Sequence, residues 1–210
     1  MKRLIIIVIS VLLLIVPAKA QWDTTRSTTH YTLPLATGTT LIATGAAFTF
    51  ISPLKSVAVN LRDAVQADGH QKLHFDDYIQ YLPAATSVTL NLFGVKSRHN
   101  LKKMAVLEGS SYLLGFLIVE SSKRLTRVER PDGRSLTSFP SGHTFTTTVG
   151  AEILRREYGK EYPWIAVAGY AIAATVAGMR IYNNRHWLGD VTAGAGVAIL
   201  STSLIYWLFD

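Results

Sequence analysis

The chain has 210 residues, of which 49% are hydrophobic and only 17% are charged. Average proteins carry about 25% charged residues, so this composition favours a membrane protein or a soluble domain that is almost entirely core. The formal net charge is +7, but the basic residues cluster in a few loops, which argues against a nucleic-acid partner. The lack of cysteine excludes disulfides and thiolate metal sites.

The first 20 residues have the form of a bacterial export signal. A basic start precedes an apolar run over residues 4–16, and Ala18-Lys19-Ala20 has the small-x-small pattern that signal peptidase cuts. The alternative interpretation is an uncleaved anchor. Cleavage would leave 18 basic residues against 14 acidic ones, a formal charge of +4 instead of +7.

The next part of the chain alternates between polar and weakly apolar segments. Residues 21–32 are polar, residues 31–54 are uncharged but rich in Thr, Gly and Ala, and residues 55–77 are charged. The uncharged segment predicts either a weak membrane span or a buried helix. We therefore predict a lead-in and a peripheral helix over residues 21–74, before a main domain over residues 75–210.

The main domain alternates apolar, helix-length segments with short charged loops. The apolar segments are 78–95, 104–119, 144–154, 164–179 and 191–209. No run shows the period-2 alternation of a strand, so we predict an all-α helical bundle. Most segments are shorter than the about 20 apolar residues that a membrane span needs. Membrane insertion is favoured, and its alternative is a soluble bundle of very apolar helices.

Antiparallel helices joined by short loops would gather the charge of this domain at one end. The loop after the 104–119 segment, the start of the 144–154 helix and the stretch from Arg180 to Asp190 then fall on one side. Residues 96–103 and 155–161 fall on the opposite side. Charges that are scattered in the sequence are therefore expected to form a single site.

The side chains gathered at that end suit the binding and transfer of a phosphoryl group. Lysine and arginine donate to phosphate oxygens, and a helix that opens at Ser141-Gly142 attracts anions. His186 lies one helical turn before Asp190, which can accept its Nδ1 proton and leave Nε2 free to attack. The candidate site residues are Lys123, Arg130, Ser141, Gly142, His143, Arg180, His186 and Asp190.

Most of these residues also have a purely structural interpretation. Ser141 and Asp190 are both suited to capping helices. Lys123 and the arginines suit solvated loops or lipid headgroups, and Trp187 suits either a membrane interface or the wall of a pocket. The combination favours a functional site, because the residues recur as three groups with set local spacing.

The three groups resemble the signatures of the type 2 phosphatidic acid phosphatase and vanadium haloperoxidase superfamily. Lys123, six residues and Arg130-Pro131 resemble the first signature, Pro140-Ser141-Gly142-His143 the second, and Arg180, His186 and Asp190 the third. The resemblance covers roughly residues 75–210. The stretches FDDYIQYLP and NLFGVKSRHN also resemble exported, Bacteroidetes-like bacterial members. Met179 departs from the pattern, which usually has Ser before the arginine.

The resemblance implies a metal-independent phosphatase that works through a phosphohistidine and needs no cofactor. His186 would be the nucleophile, Asp190 its orienting partner, and His143 the general acid that then helps to activate water. The three cations, Ser141 and the Gly142 amide would hold the phosphoryl oxygens and stabilise the transition state. The loss of a hydroxyl at Met179 is expected to tune activity without abolishing it.

The apolar setting favours a phosphorylated lipid or isoprenoid substrate held at a membrane. Candidates are undecaprenyl diphosphate, phosphatidate, phosphatidylglycerol phosphate and a lipid A phosphate. The connector 96–103 has four basic residues and no acid, which indicates a cytoplasmic end and a site that faces the periplasm of the cell envelope. A spanning segment over residues 31–54 after a cleaved signal would reverse this orientation. We therefore expect that this segment does not cross, or that the signal stays attached.

Other functions are compatible with parts of the pattern. A soluble periplasmic acid phosphatase of broad specificity would use the same chemistry, and a non-catalytic protein would use the same cradle to bind lipid phosphates. A phosphohistidine can also pass its group to acceptors other than water. Halide oxidation is disfavoured, because the haloperoxidases that this family includes are larger soluble proteins. The sequence does not indicate an oligomeric state.

Overall fold

The computed structural model describes residues 29–69 and 71–209, so the export signal predicted over residues 1–20 lies outside the described residues. This part of the chain contains helices and no strand, which confirms the all-α prediction. The helices are α1 (Thr29–Phe50), α2 (Ser52–Gln66), α3 (Asp76–Ile79), α4 (Leu82–Leu92), α5 (Leu101–Thr126), α6 (Gly142–Glu157), α7 (Pro163–Tyr182) and α8 (Leu188–Phe209). Pro34–Asp210 forms one compact unit, and Met1–Leu33 forms a separate one of which only the start of α1 is described.

Local sequence signals explain where the bundle helices begin and end. Asn100 and Ser141 precede α5 and α6, and each side chain accepts a hydrogen bond from the backbone N–H three residues later. Pro163 occupies the first turn of α7, where its missing N–H costs nothing. Arg127 adopts a left-handed backbone (φ 49°) and ends α5. The capping role offered for Ser141 is therefore confirmed.

Helix α6 lies at the centre of the bundle and packs against α4, α5, α7 and α8. Its neighbours approach closely where they carry glycine. A Cβ at Gly115 of α5 would lie 2.1 Å from the Phe145 ring, and a Cβ at Gly194 of α8 would lie 2.5 Å from the Ser141 carbonyl oxygen. The two glycines therefore set how close α5 and α8 come to the start of α6.

Four helices are long and apolar enough to cross a bilayer: Thr32–Phe50 of α1, and all of α5, α7 and α8. The expectation that most apolar segments are too short was wrong for α5, α7 and α8, because these helices extend beyond the apolar runs into charged residues. Helix α5, for example, includes Lys102 and Lys103 at its start and Lys123 and Arg124 near its end. Long basic side chains can reach the interface while their stems stay along the helix. Helix length therefore favours a membrane-embedded bundle over a soluble one.

The end of α6 away from Ser141 is closed by a buried polar cluster around Glu157. The Glu157 carboxylate accepts hydrogen bonds from the His99 backbone N–H (3.0 Å) and the Tyr206 hydroxyl (2.6 Å), and it lies 2.9 Å from His99 Nδ1. These bonds tie the loop before α5 to α6 and α8. Because α6 has 16 residues, this cluster lies roughly 24 Å along the helix from Ser141.

Candidate active site

The third motif forms a buried histidine–carboxylate pair. His186 and Asp190 are 1% and 0% exposed, and His186 Nδ1 lies 3.3 Å from Asp190 Oδ2. The same oxygen accepts hydrogen bonds from the Ser138 hydroxyl and from the Trp187 backbone N–H (2.9 Å). Three groups therefore hold this carboxylate oxygen. Because Nδ1 of the His186 ring faces Asp190, Nε2 is the ring nitrogen that stays available.

Asp190 does not cap α8 in the way that its sequence position indicated. The helix begins at Leu188, so Asp190 lies inside its first turn and reaches back to the Trp187 N–H. The capping interpretation is wrong in position, although the carboxylate still satisfies one backbone donor at the helix start. This geometry lets one side chain orient His186 and stabilise the helix at the same time.

The second motif is joined to the third through the backbone. The Ser141 N–H donates to the Asp190 carbonyl oxygen (2.9 Å), which holds the start of α6 against the start of α8. A Cβ at Gly142 would lie 3.4 Å from Lys123 Nζ, so the lysine of the first motif reaches the first turn of α6. Its ammonium also bonds to Glu120 Oε1 (2.8 Å). An ammonium beside a helix N-terminus is a suitable setting for an anion.

The two arginines of the site have buried donors without partners. Arg130 Nε and Arg180 Nε have no hydrogen-bond partner among the described residues. Burial and the charge of Arg180 lower the pKa of Arg130, as expected when guanidinium groups share a desolvated place. Like charges are brought together at a cost, and an anion held between them would offset it.

The structure adds a carboxylate pair that the sequence analysis did not include. Arg180 Nη1 donates to Asp76 Oδ2 (2.7 Å) and to Asp77 Oδ1 (3.1 Å). Asp76 is fully buried and also accepts a hydrogen bond from Asn183 Nδ2 (3.1 Å). Two adjacent acids before an uncharged stretch are the signal that the sequence offers for this pair.

Asp77 also contacts the second histidine of the site. Its Oδ1 lies 2.8 Å from His143 Nε2, and the two side chains are 46% and 28% exposed. His143 and Arg180 are therefore connected through one carboxylate oxygen. The site contains two histidine–carboxylate pairs, one buried at His186 and one half-exposed at His143.

The two histidines have pKa values shifted in the same direction for related reasons. Burial lowers the pKa of His186 to about 4, and the nearby Arg130 and Arg180 charges add to this, while Asp190 opposes it. Burial and Arg180 also lower the pKa of His143, with Asp77 opposing. Partial burial raises the pKa of the Asp77 carboxyl. The hydrogen bond to His143 and the surrounding positive charges outweigh this effect, so that the pKa of Asp77 is lowered. Both imidazoles are therefore neutral at pH 7 before an anion binds.

Trp187 is a wall of a cavity beside the site. Its Nε1–H donates to the Glu129 carbonyl oxygen (2.8 Å), and it lines a cavity of about 450 Å³ that also includes Arg130 and Lys55. This favours the pocket-wall interpretation left open by the sequence. The structure thus brings the predicted site residues to one end of the bundle, as the antiparallel arrangement required. Within the described ranges, no group of three or more His, Asp or Glu side chains is placed to hold a metal ion.

The arrangement of three motifs around one end of a helical bundle is matched by a known family. The model of the PAP2 superfamily matches residues 105–210, which include all three motifs. The chain belongs to the PAP2 superfamily. The family prediction made from the three signatures is therefore confirmed.

A similar protein with a functional name comes from Porphyromonas gingivalis. This protein, lipid A 1-phosphatase, is 39% identical over 142 residues, which are 67% of the present chain and 32% of the relative. The present chain therefore corresponds to about a third of that protein. The relative comes from a Bacteroidetes species, in agreement with the resemblance noted in the sequence.

Two solved PAP2 structures share the fold. One is the transmembrane PAP2-type phosphatidylglycerolphosphate phosphatase of Bacillus subtilis, with a TM-score of 0.58, 21% identity, and coverage of 83% of this chain and 94% of that chain. The other is LpxE of Aquifex aeolicus, with a TM-score of 0.56, 22% identity, and coverage of 71% and 94%. At these identities the likeness describes the helical architecture.

Proposed function

We propose that this PAP2 protein is a metal-independent phosphatase that hydrolyses a lipid phosphate or diphosphate through a phosphohistidine. The observation that carries the proposal is His186, which is buried, neutral and held through Nδ1 by Asp190 beside two guanidinium groups with unpartnered Nε atoms. A neutral imidazole with a free Nε2 lone pair is a nucleophile, and the cations attract its phosphoryl target.

The reaction has two steps at the phosphorus atom. In the first, His186 Nε2 forms a bond to phosphorus, the bond to the leaving oxygen breaks, and protonated His143 gives that oxygen a proton. In the second, water attacks phosphorus as His143 takes its proton, and the P–N bond breaks to release phosphate. Lys123, Arg130, Arg180, the Ser141 hydroxyl and the Gly142 N–H hold the non-reacting oxygens, whose charge grows in the transition state.

Asp77 has a positioning role in this scheme. Because it holds His143 through Nε2, proton transfer to and from the substrate falls to Nδ1. Its negative charge opposes the effects that lower the pKa of His143, so it keeps more of this group protonated for the first step. The arrangement repeats around His143 what Asp190 does for His186.

A lipid is the substrate class that the surroundings favour. An apolar groove of about 430 Å³ lies along the first turns of α6 and is lined by Tyr81, Tyr112, Phe116, Phe145 and Thr146. Thr146 in its lining follows His143 by three residues on the same helix, so the apolar part of a leaving group that His143 protonates can extend toward it. The name of the Porphyromonas gingivalis relative supports a lipid A 1-phosphate as the first candidate to test, with the isoprenoid and glycerophospholipid phosphates after it.

We also propose that residues 75–210 form the phosphatase domain and that its site faces the periplasm. The basic connector 96–103 belongs to the end of the bundle opposite the catalytic loops, which supports a cytoplasmic location for that end. The four helices of membrane-spanning length disfavour the alternative of a soluble periplasmic acid phosphatase.

Phosphate release from a panel of purified lipid phosphates tests the proposed function. Wild type should release phosphate from at least one lipid without added metal, vanadate should inhibit it, and His186→Ala should lower turnover by about 10³-fold or more. His143→Ala should lose about 10²-fold on alkyl phosphates but far less on activated aryl phosphates, whose leaving groups need little protonation. Thr137→Ala, an exposed change in the same loop, is the control.

The same panel separates the competing functions. An acid-labile phosphoenzyme should form in wild type and be absent from His186→Ala. Tight binding of lipid phosphates without release by wild type would instead make the protein a binding module. Hydrolysis confined to water-soluble monoesters would favour a broad-specificity acid phosphatase.

A further inference from the structure

Helix α2 carries an apolar stripe that the described part of the protein leaves partly exposed. Leu54, Val57 and Leu61 follow each other at three- and four-residue spacing, so they lie on one face. They are 37%, 49% and 38% exposed, and Ile51 just before the helix is 51% exposed. Ala58 is the only fully buried residue of α2. A soluble surface helix turns such a stripe inward.

Next to the buried Ala58, polar side chains of α2 bond to the loops that carry the site residues. Arg62 Nε donates to Asn184 Oδ1 (3.0 Å), and its Nη2 donates to the Pro131 carbonyl oxygen (3.2 Å). Gln66 Nε2 donates to the Tyr182 carbonyl oxygen (2.9 Å). Helix α2 therefore contacts the protein through Ala58 and these two polar side chains, while Leu54, Val57 and Leu61 lie partly exposed beside that contact.

The position of α2 along the chain indicates what covers the stripe. Helix α1 is long and apolar enough to cross a bilayer and ends at Phe50, two residues before α2 begins. A helix that starts where a membrane span ends lies at the boundary between hydrocarbon and water. Exposed aromatic residues follow in the next segment, with Tyr78 79% and Tyr81 58% exposed, as is common at that boundary.

We propose that α2 lies in the membrane interface with Leu54, Val57 and Leu61 in the acyl-chain layer, and that it couples the lipid surface to the catalytic loops. The coupling runs through Arg62, which bonds to Pro131 and Asn184. Pro131 directly follows Arg130, and Asn184 lies between Arg180 and His186 in the chain. The stripe's partner is the bilayer in which the protein resides. The lipid contact stands independently of catalysis, while the coupling rests on the proposed function.

Spin labels test the lipid contact directly. Because the chain contains no cysteine, Leu61→Cys and Ser56→Cys each give a single labelling site, and the two positions lie about 140° apart around the helix. In full-length protein reconstituted into phosphatidylglycerol–phosphatidylethanolamine vesicles, a nitroxide at position 61 should collide with oxygen far more than with a water-soluble nickel chelate, and position 56 should show the reverse. A water-accessible label at position 61, or spin–spin coupling there between two copies of the chain, would overturn the proposal.

A kinetic comparison tests the coupling. The double variant Leu54→Glu/Leu61→Glu should lose about tenfold or more in kcat/KM on a lipid phosphate presented in vesicles, as expected when two leucines can no longer enter lipid. It should retain activity on a water-soluble monoester, and Asn60→Glu should change neither. Equal losses on both substrates would refute the coupling. If wild type hydrolysed no substrate, the proposed function would fall, and the spin-label result would still decide the lipid contact.

Discussion

The side chains that matter most in this site are two imidazoles, each held by a carboxylate. His186 is 1% exposed and pairs with a fully buried acid, whereas His143 pairs with the half-exposed Asp77. Burial disfavours a charged imidazole in both places, and the guanidinium of Arg180 adds to the effect. The buried ring suits the nucleophile, which must be neutral, and the more exposed ring suits the group that exchanges protons with substrate and water.

These shifts predict an acidic pH optimum for kcat/KM. The rate requires His186 to be neutral, so it should rise as pH passes upward through about 4. It also requires His143 to be protonated, so it should fall as pH rises through the His143 pKa, which burial lowers from 6.5. Because kcat/KM reports the free enzyme, the profile should be bell-shaped with its maximum between these limits.

Asp77→Asn should move the falling limb of that profile to lower pH. The carboxylate raises the pKa of His143, so its neutral amide would leave His143 less protonated at any given pH. We expect kcat/KM at pH 6 to drop by about tenfold, with the rising limb unchanged. Asp63→Asn removes the same charge from an exposed position on α2 and should shift neither limb. A purely structural role for Asp77 would lower the whole curve without moving the falling limb.

The motif residues were predictable one by one, but their partners were not. His186 and Asp190 are only four residues apart, so their contact across the start of α8 is a local one. Asp76 and Asp77 lie 104 and 103 residues before Arg180, and no local pattern connects residues at that separation. The signal for these acids became meaningful only after α3 was seen to pack against the end of α7.

At the scale of helices, small residues determine whether the site can assemble. The start of α6 touches α8 where Gly194 faces the Ser141 carbonyl oxygen at a separation that leaves no room for a side chain. The Ser141 N–H bond to Asp190 depends on this approach. Close helix packing at glycine therefore positions the second motif against the third.

Gly194→Ala should both destabilise the protein and reduce its activity. A new Cβ would force α6 and α8 apart, at a cost of about 1–3 kcal/mol, and would disturb the contact between Ser141 and Asp190. Gly178→Ala is the matched control, because nothing lies within 4 Å of a Cβ at that position of α7, and helix propensity there favours alanine. Thermal unfolding in detergent, measured beside phosphate release, gives both readouts. Equal stability of the two variants would show that α8 does not need this approach.

Helix existence was easier to predict than helix length or surroundings. The apolar runs marked α5, α7 and α8 correctly, but charged residues at their ends belong to the same helices. Such residues interrupt an apolar count without interrupting backbone hydrogen bonds, which is why the spans looked too short. The sequence likewise indicated a peripheral helix before residue 74, and only the packing shows that Arg62 and Gln66 of this helix bond to the rest of the protein.

At the scale of the whole molecule, the placement of the loops at the two ends of the bundle limits how the protein can be oriented in a membrane. The catalytic loops lie at one end, and the Glu157 cluster with the basic connector lies at the other. Contacts of Gly38 with Leu200 and of Gly45 with Gly189 show that α1 runs antiparallel to α8 and ends beside the catalytic loops. If α1 crosses the bilayer, an outward-facing site requires the start of α1 to lie inside, which a cleaved export signal does not allow.

Cysteine labelling decides between these arrangements. Leu136 lies in the catalytic loops and is 44% exposed, whereas Phe93 lies at the opposite end and is 83% exposed. Each is replaced by a single cysteine. A periplasmic site predicts that a membrane-impermeant maleimide labels Leu136→Cys in intact spheroplasts and labels Phe93→Cys only after lysis. The reverse pattern would place the site in the cytoplasm and contradict the proposed localisation.

The sequence by itself determined the family, the all-α class and the eight residues of the three motifs, because each of these depends on spacing within a few helical turns. Tertiary structure decided which partners those residues have and what stays exposed: Asp76 and Asp77 join Arg180 and His143, Trp187 lines a cavity, and the apolar stripe of α2 stays partly exposed. The physical reason is the range of the interactions. Helix periodicity and capping act between neighbours in the chain, whereas ion pairs across a bundle and the covering of an apolar face depend on how whole helices pack.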